Sequence, residues 1–284
     1  MSFSTFDRTD PEALRARLQA AGSWSKHALG QHFLVDRAVL ADILSTARVQ
    51  PGERVVEIGP GLGVLSEGLL TAGAKPLAFE LDPHMVKVLA EDFPELEVVP
   101  GNVLETLAPH VAELGAYTVV ANIPYQITTP LLRLLLEGGL QNRPQQVTLL
   151  VQREVGERLA AGPRQSGRGY LSLLTQYFAE VEYVRSVPRS AFWPQPKVES
   201  AVLQLKVRGV RALPVEQEAS FLRFVRMRFT QPRKQFKNVL AGIAGVPPKE
   251  VEGLLVEVGL PLTVRAQELS QAEWVRLFEH TKIV

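Results

Sequence analysis

Short apolar runs alternate with amphipathic stretches through the first half of the chain. Five runs rich in apolar and β-branched residues are interpreted as strands: Arg54–Ile58, Pro76–Leu81, Leu96–Pro100, Tyr117–Ala121 and Gln146–Gln152. Helix-like segments follow the strands, for example Val64–Thr71, Pro83–Phe93 and Thr129–Glu137. Strands that alternate with helices are typical of a parallel sheet covered on both faces. The pattern therefore predicts an α/β fold.

The later part of the chain changes character. Two strand-like runs, Val181–Val187 and Ala201–Val207, flank a proline-rich turn and are predicted to pair at the edge of the sheet. Beyond Val207 the pattern is helical, with breaks at prolines. We expect two domains, an α/β domain at residues 1–208 and a smaller all-helical domain at residues 209–284. Residues 162–169, rich in glycine and arginine, predict a mobile basic loop.

Composition narrows the function classes. The 284 residues are 46% apolar and 21% charged, as in folded soluble proteins. The sequence contains neither an apolar run of the roughly 18 residues that a membrane helix needs nor a secretory pattern at its start, so we expect a cytoplasmic protein without a membrane partner. The lack of cysteine excludes disulfides, iron–sulfur clusters and a thiolate nucleophile. The five histidines show no metal-ligand spacing, and we expect no metal.

A glycine-rich turn, Gly59-Pro60-Gly61-Leu62-Gly63, follows the first of the five strands. Glycines there let the backbone approach a nucleotide-like ligand, where doubly wound sheets bind cofactors. The spacing is G-x-G-x-G and does not fit the dinucleotide fingerprint, so it favours an adenosyl ligand without a pyrophosphate. Glu80 ends the next strand, where its carboxylate can accept hydrogen bonds from both ribose hydroxyls. The alternatives are a tight turn without a ligand and a solvated strand end.

The segment Asn122-Ile123-Pro124-Tyr125 follows another predicted strand. An exocyclic amine of a nucleic-acid base is a poor nucleophile, because its lone pair is delocalised into the ring. An enzyme can accept the amine hydrogens and hold the base edge-on. Asn122 and the Pro124 carbonyl suit the first task, and Tyr125 suits the second. With the glycine turn and Glu80, the segment suggests methyl transfer to a base nitrogen.

The distribution of charge is more informative than the net charge of +1. From Arg223 to Lys237 there is no acidic residue, and three phenylalanines are interleaved with the basic side chains, with Phe221 just before them. The basic residues are Arg223, Arg226, Arg228, Arg233, Lys234 and Lys237. One interpretation is an amphipathic helix with a solvated basic face. The other is a surface that contacts the phosphates of a nucleic acid.

Four motifs occur in order along the chain: Lys26–Leu34 (KHALGQHFL), Val56–Gly63 (VEIGPGLG), Asn122–Tyr125 (NIPY) and Phe192–Ser200 (FWPQPKVES). In these motifs the chain resembles the ribosomal RNA adenine N6-dimethyltransferases, most closely the small-subunit, KsgA-type branch. The resemblance runs from about Lys26 to Lys237. It implies an S-adenosylmethionine-dependent, Rossmann-like methyltransferase sheet with a helical C-terminal domain. It also implies N6,N6-dimethylation of adjacent adenosines near the 3′ end of small-subunit rRNA, and a role in subunit biogenesis.

The resemblance assigns roles to individual residues. The implied cofactor-binding residues are Gln31, His32, Leu34, Gly59, Gly61, Glu80, Leu81, Asn102 and Asn122. The implied catalytic residues are Asn122, Pro124, Tyr125 and Phe192. Tyr125 and Phe192 would sandwich an adenine extruded from its stack, each contact contributing about 1–3 kcal/mol. The implied RNA-binding residues are Arg223, Arg226, Arg233, Lys234 and Lys237.

Two positions depart from the family pattern, in which Asn is common at His32 and Asp at Asn102. The uncharged Asn102 implies a lower cofactor affinity than is typical. The expected partner of a monomeric enzyme is small-subunit rRNA, within a ribosomal subunit or an assembly intermediate.

Two alternatives stay open. One is a large-subunit rRNA adenine methyltransferase of the antibiotic-resistance type, which shares the cofactor and catalytic motifs. The other is a ribosome-assembly or transcription-associated binding protein that does not depend on methylation. The long C-terminal domain and the phenylalanine-proline turn favour the small-subunit enzyme.

Overall fold

The computed structural model describes residues 6–23, 31–137, 143–231 and 234–281. The chain forms two compact units. The first contains Met1–Gly156 and Glu180–Val207, and the second contains Glu157–Ala179 and Arg208–Val284. Within the described ranges, no helix is both long enough and apolar enough to cross a membrane.

The first unit contains a large mixed sheet. The strands of the described chain are β1 (Phe33–Leu34), β2 (Arg54–Ile58), β3 (Lys75–Glu80), β4 (Glu97–Pro100), β5 (Thr118–Asn122), β6 (Gln146–Gln152), β7 (Ala179–Val187), β8 (Phe192–Trp193) and β9 (Ser200–Val207). Seven of them form one sheet with the order β4-β3-β2-β5-β6-β9-β7. The pairs from β4 to β6 are parallel, and β9 runs antiparallel to β6. A separate two-stranded sheet pairs β1 with β8.

The burial of the central strands indicates that both faces of the sheet are covered. In β5 the side chains from Thr118 to Ala121 are buried, and in β6 those from Val147 to Val151 are buried. Strands buried on both faces are typical of a sheet covered by helices on both sides. The α/β prediction is confirmed. The two later strand-like runs are β7 and β9, which are hydrogen-bonded neighbours with β7 at the edge, as the pattern predicts.

Helices connect the strands and build the second unit. They are α1 (Pro11–Ala20), α2 (Arg37–Ala47), α3 (Val64–Thr71), α4 (Pro83–Asp92), α5 (Val103–Ala112), α6 (Thr128–Glu137), α7 (Arg153–Ala160), α8 (Tyr170–Phe178), α9 (Val215–Arg228), α10 (Phe236–Ala244), α11 (Pro248–Glu257) and α12 (Gln271–His280). Side-chain caps fix several starts. Asp36 accepts hydrogen bonds from the Ala38 and Val39 amides, as expected for the cap of α2.

An aromatic cluster forms the core of the second unit. The buried Trp274 ring lies 6.2 Å from Phe224, 5.5 Å from Phe229 and 5.1 Å from Phe236, measured between ring centroids. These three phenylalanines come from the basic segment identified in the sequence. Such aromatic contacts add to the free energy gained by burying the ring areas. The phenylalanines therefore have a packing role.

Arg228 corrects the interpretation of the basic segment. Its side chain is buried, its guanidinium lies 3.5 Å from the centroid of the Phe224 ring, and its Nη1 donates to the Phe224 carbonyl at 2.8 Å. Residues 221, 224, 225 and 228 share one buried face of α9. Arg228 belongs to the core, so counting it with a basic surface is wrong.

Residues 157–179 pack within the second unit. Arg168 is buried and donates to the carbonyl oxygens of Gln267, at 3.1 Å, and Leu269. The loop predicted to be mobile is therefore anchored at Arg168. Ser172 donates to the Arg158 carbonyl at 2.6 Å. The compact units differ from the predicted division at residue 208 in this segment, because buried hydrogen bonds hold it to the helical part of the chain.

Candidate active site

The carboxyl ends of β2, β3 and β5 meet at one edge of the sheet. From β2 the sheet extends to β3 and β4 on one side and to β5 and β6 on the other. Such a change of direction creates the crevice in which open α/β sheets bind ligands. The glycine turn follows β2, Glu80 ends β3 and Asn122 ends β5. The fold thus brings together three features that are far apart along the chain. Glu80 comes 19 residues after Gly61, and Asn122 comes 63 residues after Gly59.

Two positions of the turn require glycine. Gly61 has a φ of 58°, and a Cβ atom there would lie 3.1 Å from the Phe33 ring. Gly63 has a φ of 83°, and a Cβ atom there would lie 2.4 Å from the Phe93 ring. Left-handed backbone and close approach both exclude larger residues. The rings of Phe33 and Phe93 therefore pack directly against the backbone of the turn.

Glu80 is fixed by backbone hydrogen bonds. One carboxylate oxygen accepts from the Gly61 amide at 3.1 Å, and the other accepts from the Asp82 amide at 2.8 Å. Only 6% of the residue is exposed, and this burial raises the pKa of its carboxyl, while the backbone hydrogen bonds oppose the shift. Each oxygen keeps a second lone pair, so the carboxylate can still accept hydrogen bonds from a ligand's hydroxyls.

A cavity at this edge is lined by most of the sequence-predicted site residues. Its walls are Arg8, Leu14, Gln31, His32, Phe33, Leu34, Gly59, Pro60, Gly61, Leu62, Val64, Leu65, Glu80, Leu81, Asn122, Ile123, Pro124 and Tyr125. All predicted cofactor-binding residues except Asn102 are among them. Gln31 is oriented by a hydrogen bond from its Nε2 to Asp82 at 3.1 Å. Apolar walls with a few convergent polar groups are typical of cofactor sites.

Asn102 is not part of this cavity lining, although the neighbouring Gly101 amide donates to the Glu80 carbonyl at 2.8 Å. Its Oδ1 accepts from the Leu104 amide at 3.1 Å as the cap of α5, and its Nδ2 donates to Glu105 at 2.8 Å. Both ends of the amide are therefore engaged at the helix start. The structure places Asn102 outside the cavity lining that contains Glu80 and Asn122.

The Asn122 amide is oriented by the backbone. Its Nδ2 donates to the His32 carbonyl at 3.2 Å, which leaves its Oδ1 as the acceptor. The Pro124 carbonyl accepts from the Ile127 amide at 3.1 Å and keeps one lone pair. His32 is held in turn, because its Nδ1 lies 2.7 Å from the Pro194 carbonyl. Two acceptors in the N-I-P-Y segment are thus available to an amine with two hydrogens.

The two predicted stacking residues differ in exposure. Tyr125 lines the cavity, and its hydroxyl lies 2.6 Å from Ser200 Oγ. Burial raises the pKa of the Tyr125 hydroxyl, which keeps the ring neutral. The ring of His32 lies nearly parallel to it, with 6.3 Å between centroids. Phe192 is only 2% exposed, packs in the core and pairs with Leu34 across the small sheet. A sandwich with Phe192 stays a prediction.

Arg8 is a wall residue that the sequence analysis missed. Its Nε donates to the Leu62 carbonyl at 3.0 Å, and its Nη2 donates to Asp92 at 3.1 Å. Arg17 of α1 also pairs with Asp92, at 2.9 Å. Arg8 thereby ties the N-terminal segment to the glycine turn. The partners lie 54 and 84 residues away along the chain, so no local pattern could have identified them.

Glu57 was also missed, although it belongs to a quoted motif. It is fully buried in β2, and its Oε2 accepts from Ser66 Oγ at 2.7 Å. Its Oε1 has no hydrogen-bond partner in the part of the chain that the structure describes. Burial, and to a lesser degree the charge of Glu80, raise the pKa of Glu57 to about 8, whereas the Ser66 hydrogen bond lowers it. An acidic residue inside an apolar strand is the signal that indicates it.

The predicted RNA-binding residues have different environments. Arg223, Arg226 and Lys234 are exposed. Lys237 is half-buried and ion-paired with Glu252 at 2.6 Å. Arg233 lies outside the described residues. Among the described histidines and acidic residues, no group is arranged to hold a metal ion.

Comparisons with known proteins identify the family of this chain. The sequence model of the family "Ribosomal RNA adenine dimethylase" matches residues 22–282. A relative from Streptococcus pneumoniae (strain P1031), "Ribosomal RNA small subunit methyltransferase A", is 36% identical over 96% of this chain and 97% of its own. A relative of the same name from Shouchella clausii is 37% identical over 95% of this chain and 94% of its own.

Two solved structures share the fold. The 23S rRNA methyltransferase ErmE has a TM-score of 0.68 at 28% identity and covers 87% of this chain and 98% of its own. A dimethyladenosine transferase from Plasmodium falciparum has a TM-score of 0.71 at 24% identity and covers 88% of this chain and 97% of its own. The family match and the relatives lead to one conclusion: this chain belongs to the ribosomal RNA adenine dimethylase family.

Proposed function

We propose that this protein uses S-adenosylmethionine to dimethylate N6 of two adjacent adenosines near the 3′ end of small-subunit rRNA. The observation that carries the proposal is the orientation of Asn122 beside the glycine turn. Its amide nitrogen is engaged with the His32 carbonyl, so its oxygen remains for the hydrogens of a target amine. Family membership and the names of the relatives support the substrate class.

The cavity suits an adenosyl cofactor. The Glu80 carboxylate, held by the Gly61 and Asp82 amides, offers acceptors for ribose hydroxyls. The turn that carries Gly61 would bring its backbone close to the ligand. Its glycine spacing is not that of a dinucleotide site, so it suits a ligand without a pyrophosphate. Bound S-adenosylmethionine supplies an electrophilic methyl group on a sulfonium sulfur.

The N-I-P-Y segment would prepare the nucleophile. Asn122 Oδ1 and the Pro124 carbonyl accept the two N6 hydrogens, which directs the nitrogen lone pair towards the methyl group. Tyr125 supports one face of the extruded base. The N–C bond forms as the C–S bond breaks, and the nitrogen then loses a proton. Because the proton leaves after the transfer, no group with a pKa near neutrality has to act as a base, and alignment supplies much of the rate.

Asn102 has a smaller role in this proposal than the resemblance implies. Its amide caps α5 through one lone pair of Oδ1 and one hydrogen of Nδ2, which leaves one acceptor site and one donor hydrogen for the cofactor's adenine, without the charge of an Asp. The proposed partner is a small ribosomal subunit or an assembly intermediate, bound by a monomeric, cytoplasmic enzyme. Exposed Arg223, Arg226 and Lys234, with Arg233 nearby in sequence, would contact RNA phosphates.

The large-subunit alternative is favoured by one observation, the similarity to ErmE at 28% identity. Relatives at 36–37% identity carry the small-subunit name, and they favour the first proposal. A binding factor that does not depend on methylation would have no need for an oriented Asn122 amide.

The deciding experiment is methyl transfer from labelled S-adenosylmethionine to small subunits that lack the modification, with large subunits in a parallel reaction. Digestion and mass analysis should find N6,N6-dimethyladenosine in small-subunit RNA. Label only in large-subunit RNA would support the resistance-type alternative. Tight subunit binding without label would support the assembly factor. The Asn122→Ala variant serves as the control and should bind subunits normally while transferring methyl groups far more slowly.

A further inference from the structure

A second cleft lies in the first unit, beside the base-binding end of the site. It has a volume of about 310 Å³ and is lined by Gln152, Arg153 and Glu154 on one side and by Arg189 and residues 197–199 on the other. This volume is at the lower end of the roughly 300–1,000 Å³ range of small-ligand sites. The first wall is the end of β6 and the start of α7, and the second wall is the turn region around β8.

One ion pair holds the two walls together. Arg153 is ion-paired with Glu199, and the Arg153 amide donates to the Glu199 carbonyl at 2.9 Å. This ion pair and this backbone hydrogen bond fix the positions of the two walls relative to each other. The start of α7 adds the partial positive charge of a helix N-terminus on the same side.

Two other cationic side chains of the cleft take no part in the ion pair between its walls. Arg189 and Lys197 are exposed, and neither forms an ion pair with any residue that the structure describes. The lining contains three cations and two carboxylates, a net charge of +1. With Arg153 and Glu199 neutralising each other, the remaining cations outnumber the remaining carboxylate, Glu154.

The cleft is linked to the predicted base site through Ser200. Gln152 is the cross-strand partner of Ser200, and Ser200 is hydrogen-bonded to the Tyr125 hydroxyl at 2.6 Å. Arg189 begins the short turn Arg189–Ala191 that leads directly into Phe192. Arg189 and Lys197 therefore flank Phe192 along the chain, and the segment after Lys197 reaches Tyr125 through Ser200.

We propose that this cleft binds a phosphate group of the RNA backbone next to the extruded adenosine, through Arg189 and Lys197. The proposal rests on the function proposed above. A base turned out of its stack keeps its ribose and phosphates at the mouth of the pocket, so an anion is present there in every substrate complex. Phosphate contacts fix register and orientation without reading sequence, which is what successive transfer to neighbouring adenosines requires.

The test compares two double variants of equal charge change. Arg189→Ala with Lys197→Ala removes the cleft cations, whereas Arg54→Ala with Lys75→Ala removes two exposed cations at the amino ends of β2 and β3. Binding of unmodified small subunits is measured by filter retention at several salt concentrations, together with kcat, KM and S-adenosylmethionine affinity.

The cleft variant should raise KM for subunits about 10-fold and flatten the plot of log affinity against log salt by about 0.7–0.9 per lost phosphate contact. Its S-adenosylmethionine affinity and melting temperature should equal those of the control. The charge-conserving variant Arg189→Lys with Lys197→Arg should recover most of the binding.

An unchanged salt slope in the cleft variant, or the same loss in the control pair, overturns the proposal. So does a fall in kcat with binding unchanged, because that result would indicate a role in positioning Phe192. The binding measurement needs no methyl transfer. Failure of the cleft proposal is therefore distinguishable from failure of the proposed reaction, which would appear as an inactive wild-type enzyme.

Discussion

The cavity of the first unit and the basic segment of the second unit hold their polar groups in opposite ways. Around the cavity, Glu80, Asn122 and Arg8 are each fixed by hydrogen bonds to backbone atoms from distant elements. In the basic segment, Arg223 and Arg226 project into solvent, while Arg228 lies in the core. The first region is suited to chemistry that depends on alignment, and the second to attraction that depends on charge. Substitutions should therefore affect rate in one and salt-dependent binding in the other.

The largest effect is expected at Asn122. Asn122→Ala removes the amide acceptor from the proposed amine site and should lower the single-turnover methylation rate by about 100–1,000-fold, as loss of one aligned hydrogen-bonding group typically does. S-adenosylmethionine affinity should change only a few-fold, because the glycine turn and Glu80 remain. A near-normal rate would show that Asn122 is not part of the chemistry.

Next in size is the loss of Arg8. Arg8→Ala leaves the Leu62 carbonyl and part of Asp92 without a partner and should reduce the free energy of unfolding by about 2–3 kcal/mol, less than for a fully broken buried pair because Arg17 still pairs with Asp92. Cofactor affinity should fall with it. Arg15→Ala, on the exposed side of α1, is the matched control. Denaturant titration and calorimetry measure both, and equal effects in the two variants would refute the role of Arg8.

A pH-dependent effect, small at pH 5, is expected at Glu57. The raised pKa of this carboxyl, about 8, means that between about pH 4.5 and pH 8 the unfolded chain loses the proton while the folded protein keeps it. The stability contributed by the protonated group is complete below that range and is lost as the pH rises through it. Glu57→Gln should therefore melt roughly 10 °C higher than wild type at pH 8, because the rise in pKa from 4.5 to about 8 costs wild type roughly 4 kcal/mol there, and nearly equally at pH 5.

The Ser66→Ala variant provides the opposite control. It removes the hydrogen bond that lowers the pKa of Glu57, so its stability should fall more steeply with pH. Parallel melting curves for wild type and Glu57→Gln from pH 5 to 8 would contradict the raised pKa.

The smallest effect on the fold is expected at the basic surface. Arg223→Ala with Arg226→Ala should weaken RNA binding several-fold at low salt and less at high salt, with stability and S-adenosylmethionine affinity unchanged. Arg228 lies on the same helix, two positions after Arg226. Arg228→Ala should instead lower the melting temperature, because it removes a guanidinium packed against the Phe224 ring. If both variants behave alike, the division between surface and core in α9 is wrong.

The sequence predicted the sheet and most of the cavity for the same physical reason. Apolar runs identify buried parallel strands, and polar residues at their carboxyl ends converge because the strands are parallel. Glu80 and Asn122 were found in this way. Arg228 could have been assigned to the core, since it continues the helical spacing of Phe221, Phe224 and Val225.

Other features depend on contacts that no local pattern contains. Arg8 is defined by partners more than fifty residues away. Asn102 comes two positions after β4, whereas Glu80 and Asn122 end their strands, and its amide also makes the hydrogen bonds that cap α5. Local spacing does not reveal which of two hydrogen-bond partners a side chain chooses. The packing of residues 157–179 with the helical unit likewise depends on Arg168, whose acceptors are about 100 residues later.

The bond between Arg8 and Asp92 also sets an order for synthesis. Arg8 is translated 84 residues before its acceptor Asp92. At bacterial and eukaryotic elongation rates of about 5–20 residues per second, this delay is about 4–17 s. During that interval the Leu62 carbonyl, 54 residues after Arg8, is translated before Asp92, so the contacts of Arg8 that close the cavity wall are incomplete. The cofactor site is therefore completed only after a large part of the sheet has emerged, so nascent chains should be unable to bind cofactor early in translation.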